Sequence, residues 1–379
     1  MNFIAIKMLT SDRAKYLGLI FAIAFSTFLV ENQSSIFAGI MKRTTSQILD
    51  VTDADVWVMD PATQYIDEVK ALTENDLYLV REVPGVHWAV RLFKGYPRAK
   101  AEDGRFRTVI LMGLDDATLV GAPQKMILGA IQDLHQPDSV IIDKAGYEFF
   151  FPDEPLQLGR MFEMNDHLVK VVGISDASAP FQTFPVFFSR YSNAITYVGK
   201  ERNLMSFVLV KADAGTSPQD LCARIESGTG LRALTGVQFA WQTVGYYFRN
   251  TGIPVNFGIT ILIAIIVGTV VAGQTFYIFT IENLKQFGAL KAIGVTDKRI
   301  TGMILLQALL VGVIGFSIGT GMCAGFFEFF SHRTATRGII LLWQSVAGTG
   351  VAMLLIVIVA SLLSIRRVVV LEPAVVFRG

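Results

Sequence analysis

Four long apolar stretches alternate with polar sequence along the chain, at residues 16–40, 255–281, 300–330 and 339–365. A helix that crosses the hydrocarbon core of a membrane needs roughly 20 mainly apolar residues. Each stretch therefore predicts a transmembrane helix. The first is expected to be retained as a signal anchor, because it is longer than the apolar segment of a cleavable signal peptide.

A region of mixed composition separates the first two apolar stretches. Short apolar runs alternate there with turn residues, a pattern typical of an α+β domain. Strands are predicted at residues 54–60, 88–96, 106–114, 139–143, 167–175, 194–198 and 207–211, and helices at 74–83, 145–150 and from 217 onward. The predicted fold class is an α-helical membrane protein with four transmembrane helices and one α+β domain outside the membrane. Its parts are residues 1–43, with the first helix, residues 44–252, the α+β domain, and residues 253–379, with helices two to four.

Residues 181–188, FQTFPVFF, are unusually aromatic. Aromatic side chains are usually buried, which favours packing in the core of the domain. An exposed loop that contacts a partner or lipid is the alternative.

Positive charge predicts the orientation of the chain. Basic residues precede the first apolar stretch, lie between the second and third, and follow the fourth. Basic residues near membrane spans stay in the cytoplasm, so both termini are predicted to be cytoplasmic and the α+β domain extracytoplasmic. The net charge of +1 gives no electrostatic support for binding nucleic acid.

The sequence contains no catalytic motif that we could identify. A phosphate-binding Gly-x-x-x-x-Gly-Lys-Ser/Thr and a His-Glu-x-x-His helix are missing from it, and its two cysteines form no metal-ligand spacing. We therefore expect a chain that is not an enzyme, with no catalytic or metal-ligating residues and no bound cofactor.

Glu31 interrupts the first apolar stretch, together with Asn32 and Gln33. A carboxylate within a membrane span is costly and is by default a functional hypothesis. At 1.5 Å per residue, Glu31 lies about 22 Å along a helix that starts at Tyr16, towards the outer leaflet. The three residues are candidates for contact with a substrate between two copies of the chain. The alternative is a helix that has already risen above the lipid at this point.

The segment between the second and third stretches, residues 280–296, reads TIENLKQFGALKAIGVT, and residues 371–378 read LEPAVVFR. Both segments, and the order of one span, a large domain and three spans, resemble the FtsX/MacB-type ABC transporter permeases, and most of all the DevC-type permease subunits. The resemblance implies that residues 282–294 form a coupling helix that contacts an ATPase, with candidate residues Glu282, Lys285, Phe287, Leu290, Lys291, Ile293 and Gly294. Gly294 is suited to end this helix. Phe287, Leu290 and Ile293 are predicted to form one apolar stripe on it, which would contact the ATPase or the membrane surface, or belong to an ordinary connector.

The resemblance further implies a permease subunit of an export complex, located in the bacterial inner membrane. It would act as a homodimer with two copies of a separate ABC ATPase that holds ATP and Mg²⁺, with a periplasmic adaptor protein, an outer-membrane channel and membrane lipids as further partners. The cargo would be hydrophobic or amphipathic: a lipid or glycolipid, haem or a drug-like molecule. An FtsX-like regulator that activates a cell-wall hydrolase is the alternative, and a sensor or structural membrane protein without an ATPase is a third class.

Overall fold

The computed structural model describes residues 2–101, 103–199, 205–330, 339 and 341–369. It divides the chain into two compact units, Met1–Gly39 with Gly252–Gly379, and Ile40–Thr251. We call them the membrane unit and the external unit. The predicted turn at residues 331–338 and the ending LEPAVVFR lie outside the described residues.

The helices of the described residues follow the chain in this order: α1 (Asn2–Ser11), α2 (Arg13–Thr44), α3 (Ser46–Leu49), α4 (Glu74–Arg81), α5 (Lys144–Phe150), α6 (Tyr191–Val198), α7 (Pro218–Thr229), α8 (Gly236–Asn250), α9 (Ile253–Glu282), α10 (Leu284–Ala292), α11 (Asp297–Phe330) and α12 (Trp343–Val369). The strands are β1 (Val56–Met59), β2 (Val86–Gly95), β3 (Arg98–Lys100), β4 (Phe106–Thr108), β5 (Ile110–Leu114), β6 (Met126–Leu128), β7 (Ser139–Asp143), β8 (Met161–Met164), β9 (His167–Ser175), β10 (Val186–Arg190), β11 (Phe207–Ala212) and β12 (Arg232–Thr235).

Four helices of the described chain are long and apolar enough to cross a membrane, which confirms the four predicted spans: α2, α9, α11 and the first 20 residues of α12. Glycines bring these helices close together. A Cβ atom built at Gly315 of α11 would lie 2.8 Å from Cβ of Ile23, and one at Gly268 of α9 would lie 2.5 Å from Oγ of Ser26. Helix α2 therefore packs backbone-close against both neighbours, as small residues allow in membranes.

The external unit is built on one mixed sheet, in the order β12-β1-β11-β2-β5-β10-β7-β9-β8-β3-β4, with β6 paired to β9. Strands β5 and β10 are parallel, as are β7 and β9. Successive residues enter cores on opposite faces of the sheet: Val56 and Val58 belong to one, Trp57 and Met59 to the other. Because both faces are covered, the central strands read as continuous apolar runs.

Two predictions for the external unit are wrong. Residues 194–198 are part of α6, where Tyr191, Ala194 and Tyr197 bury one face at a three-residue spacing. Three β-branched residues, Ile195, Thr196 and Val198, made this run resemble a strand. The predicted strand at 106–114 is broken at Val109, whose N–H donates to the carbonyl of Pro97, so that β4 and β5 join different neighbours in the sheet.

The aromatic run at 181–188 ends in β10, where Phe187 and Phe188 are buried in the sheet. This confirms the core-packing interpretation for these two residues. Phe181 is half-buried against the ring of Tyr247, with centroids 4.8 Å apart.

Candidate functional site

The first candidate is the coupling segment between α9 and α11. Helix α10 ends at Ala292, and Gly294, the residue after the C-cap Ile293, has a φ of +90°, a conformation that favours glycine. The N–H of Val295 donates to the carbonyl of Leu290 over 3.0 Å, and that of Gly294 to the carbonyl of Lys291 over 2.9 Å. This is a Schellman ending, and it turns the chain into α11 within a few residues.

The predicted apolar stripe does not form one face. Phe287 is completely buried, Leu290 is half-buried and Ile293 is 79% exposed. Residues three apart on an α-helix turn by only 300°, so each step falls about 60° behind the last. Ile293 also lies at the C-cap, beyond the last helical residue. The stripe therefore separates into an internal anchor, Phe287, and an exposed apolar side chain, Ile293.

Phe287 packs in a small core with Ile300 and Ile304 of α11, and Met8 of α1 lies against it. Helix α1 is fixed there by a second contact, because Nε2 of Gln307 donates to the carbonyl of Ala5 over 2.7 Å. The sequence did not single out α1. Few of its residues are buried, so its sequence shows no clear pattern. Its contact with α11 is what shows that it belongs to this site.

Ion pairs stabilise the same end of the membrane unit. Nζ of Lys291 lies 2.8 Å from the carboxylate of Asp297, across the turn into α11. Glu282 pairs with Lys15 of α2, which also contacts Asp12 over 2.7 Å. Of the predicted coupling residues, Lys285 and Ile293 are exposed without a described ion pair, so they remain accessible to another protein.

The second candidate is the polar group around Glu31. Its carboxylate is completely buried within the membrane unit, and Oγ1 of Thr320 on α11 donates to Oε1 over 2.8 Å. Asn32 is also buried and Gln33 is half-buried. The three predicted residues therefore differ in their surroundings, and contact with a substrate stays a prediction for all of them. The sequence did not identify Thr320 as a partner.

A third group lies in the external unit, where the ammonium of Lys94 is completely buried 2.5 Å from Oδ1 of Asp67. The hydroxyls of Tyr96 and Tyr247 donate to the same carboxylate over 2.9 and 3.4 Å. Burial lowers the pKa of Lys94, and Asp67 opposes that change. Burial raises the pKa of Tyr96. The group ties β2, α8 and the segment around Asp67 together, and we interpret it as structural.

Within the described residues, no group of three or more His, Cys, Asp or Glu side chains is placed to hold a metal ion. The arrangement exposes an apolar side chain, Ile293, at one end of the membrane unit and joins α2 to α11 by a hydrogen bond at Glu31.

Comparison with known proteins gives two matches to family models. The MacB-like periplasmic core domain matches residues 16–227, more than half of the chain, and the FtsX-like permease C-terminal domain matches residues 258–373. Uncharacterised ABC transporter permeases of Mycobacterium tuberculosis and Mycobacterium bovis are 26% identical over 114 residues, which cover 30% of this chain and 31% of each relative. The chain thus matches about a third of the length of these curated relatives.

Solved structures that the chain matches include the periplasmic region of MacB from Actinobacillus actinomycetemcomitans, 13% identical with a TM-score of 0.38, over 54% of this chain and 96% of that one. The extracellular domain of the noncanonic ABC-type transporter YknZ from Gram-positive bacteria is 15% identical with a TM-score of 0.35, over 48% of this chain and 98% of that one. The two family models together span most of the sequence in the order of their domains. The chain belongs to the MacB/FtsX-type family of ABC transporter permeases.

Proposed function

We propose that the chain is the non-catalytic membrane subunit of an ABC export complex and that it transmits the motion of a separate ATPase to its external unit. The observation that carries the proposal is the construction of the coupling segment. An exposed apolar side chain, Ile293, stands at the end of a helix whose other face is anchored by Phe287 to α11. A partner that presses on Ile293 therefore acts on α11 through a packed core.

The membrane unit offers a continuous route for that motion. Helix α11 has 34 residues and is about 51 Å long at 1.5 Å per residue. It packs against α1 and α12, and against α2 at Gly315 and Gly319. Helix α2 continues without a break to Thr44, past the boundary of the membrane unit at Gly39. A displacement of α11 is thus passed to a helix that enters the external unit.

We further propose that the cargo is hydrophobic or amphipathic, such as a lipid or glycolipid, haem or a drug-like molecule. A groove between α11 and α12 supports this proposal. It has a volume of about 240 Å³. Its lining includes five large apolar side chains: Leu309, Val313, Phe316, Met353 and Leu354. Such a wall gives an acyl chain or an aromatic body favourable contacts and has no charged group to bind a polar cargo.

The proposal includes a homodimer, two copies of an ABC ATPase that holds ATP and Mg²⁺, a periplasmic adaptor and an outer-membrane channel. It places the chain in the bacterial inner membrane with both termini in the cytoplasm. Support comes from the family and from the basic residues Lys285, Lys298 and Arg299 at the same end as Ile293, which are exposed. Basic flanks of this kind remain on the cytoplasmic side.

The experiment is reconstitution of the full chain with the ATPase that co-purifies with it, followed by measurement of ATP hydrolysis. Ile293→Asp is expected to abolish the stimulation of hydrolysis without lowering the melting temperature of the chain. A central contact residue contributes at least about 2 kcal/mol to binding, or about a 30-fold change in affinity for the ATPase. Val237→Asp, at an exposed apolar position of α8 in the external unit, is the matched control and should leave stimulation intact.

Phe287→Ala tests the anchor separately. Loss of a buried phenylalanine costs about 3–5 kcal/mol of unfolding free energy, so this variant should melt at a lower temperature. Undiminished stimulation in Ile293→Asp contradicts the assignment of the contact. Failure of the chain to bring down any ATPase contradicts the export complex as a whole.

A further inference from the structure

Three side chains of α2 share the surface that faces α11. Thr27, Glu31 and Ser35 follow each other at intervals of four residues, and each is completely buried. Residues four apart on a helix lie one above the other. The backbone of α11 comes close at this level, since a Cβ built at Gly319 would lie 2.6 Å from Cβ of Thr27. These side chains therefore form a closed polar strip between two membrane helices.

Hydrogen bonding along this strip is incomplete. Oε1 of Glu31 accepts from Thr320 over 2.8 Å, whereas Oε2 of Glu31, Oγ1 of Thr27 and Oγ of Ser35 are buried without a partner. An ionised carboxylate can only accept hydrogen bonds, and a hydroxyl can both donate and accept. No described donor therefore stabilises a negative charge on Oε2.

The negative charge of an ionised Glu31 would also have no described positive charge beside it. In the part of the chain that the structure describes, no Lys, Arg or His side chain lies within ion-pair distance of its carboxylate. The titratable group that faces it from α11 is the thiol of Cys323, which is also completely buried. An unpaired buried charge is strongly unfavourable in a protein and more so in a membrane. The site therefore requires a positive charge that the described side chains do not supply.

We propose that Glu31 is an intramembrane proton-binding site and that the contact between α2 and α11 depends on the bound proton. The carboxyl group takes one proton from water on Oε2 and becomes neutral. Release of the proton to water leaves a bare carboxylate between the helices and weakens their contact. The alternative ligand, a metal cation, fits less well, because hard cations take about six or more oxygen ligands and three oxygens are unpaired here. This inference is independent of the ATPase contact at Ile293.

The test uses the full-length chain in lipid nanodiscs and compares wild type, Glu31→Gln and Glu328→Gln. Glutamine is neutral and has nearly the shape of a protonated glutamate. Glu328 is an exposed carboxyl on the same helix as Thr320 and serves as the control. Infrared spectra distinguish a carboxylic acid from a carboxylate by the position of the C=O stretch. At neutral pH, wild type and Glu328→Gln should show a carboxylic acid band that Glu31→Gln lacks.

The melting temperature gives a second readout. A proton that the folded chain binds and the unfolded chain releases stabilises the folded chain at low pH, and this contribution is lost as pH rises. The melting temperature of wild type should therefore fall progressively as pH is raised, and the melting temperature of Glu31→Gln should fall less. Equal pH dependence in both variants, or a wild-type spectrum with no carboxylic acid band at neutral pH, overturns the proposal. The wild-type spectrum decides even if Glu31→Gln does not fold. Loss of the band on replacing potassium by sodium would identify a sodium site and also overturn it.

Discussion

Gly319 of α11 offers the most direct test of how closely the membrane helices pack. A Cβ atom at this position would lie 2.5 Å from the carbonyl oxygen of Ala24, and 2.6 and 2.9 Å from Cβ and Cγ2 of Thr27. Real Cβ atoms essentially never come within 3.0 Å of such neighbours. One neighbour is backbone and the other is β-branched, so neither can move aside by changing rotamer. Gly319→Ala is therefore expected to push α2 away from α11.

The size of the effect follows from two opposing contributions. Replacing glycine by alanine within a helix gains up to about 1 kcal/mol, because the unfolded chain loses freedom. Overpacking a tight interface costs about 1–3 kcal/mol. Gly321 and Gly325 lie on the same helix with nothing within 4 Å of a built Cβ. Alanine at either position should therefore stabilise the helix without any cost from overpacking. Gly319→Ala should be about 1–3 kcal/mol less stable than Gly321→Ala.

The assay is reversible unfolding of the purified chain in mixed micelles, with the free energy of unfolding compared between the two variants. Displacement of α2 would also lengthen the 2.8 Å hydrogen bond from Thr320 to Glu31, which neighbours Gly319. We therefore expect the carboxylic acid band of Glu31 to shift in Gly319→Ala and to stay in place in Gly321→Ala. Equal stability of the two variants would refute the close approach of α2 to α11.

Two further predictions concern the external unit. Asp67→Asn leaves the buried ammonium of Lys94 without its counter-charge and should lower the free energy of unfolding by about 3–5 kcal/mol, measured by denaturant titration. Glu163→Gln breaks a half-exposed ion pair instead and should cost less than about 1 kcal/mol; equal losses would contradict a special role for the buried pair. Burial raises the pKa of Cys222 to about 11, so its thiol should react slowly with iodoacetamide near neutral pH until the chain unfolds. Mass spectrometry of a Cys323→Ser chain measures this, and rapid labelling of the folded protein would argue against burial.

The sequence predicts an element correctly where a local pattern by itself indicates which residues are buried. The four spans follow from apolar length, and strands β7 and β9 have the bounds predicted for them, because each is an apolar run that ends in polar residues. Helix α8 was missed, although Thr235 and Gln238 form the capping box that opens it. Its interior holds Gly245 and several aromatic and β-branched residues, which weaken a helical pattern.

The candidate sites were harder to predict, because their properties depend on contacts between distant segments. Phe287 and Ile293 look alike in the sequence, and what separates them is the arrival of α1 and α11 beside only one of them. Likewise, Glu31 was recognised as costly in a membrane, whereas its burial against Thr320 joins residues that are 289 positions apart. No spacing rule within one helix could supply that partner.

Helix α11 connects these separate observations. Its first turns hold the anchor of the coupling segment, through Ile300 and Ile304. Its middle holds Gly319 and Thr320, the positions where α2 comes closest and where Glu31 is bound. In the proposed function, a displacement of α11 that begins at Ile293 acts on α2 both at Gly315 and at the Glu31 contact. If Glu31 loses its proton, the two helices are less tightly joined, and less of the motion is transmitted. Proton binding at Glu31 and force transmission from an ATPase would then act on the same contact, which is why Glu31→Gln and Ile293→Asp should be measured in one reconstituted complex.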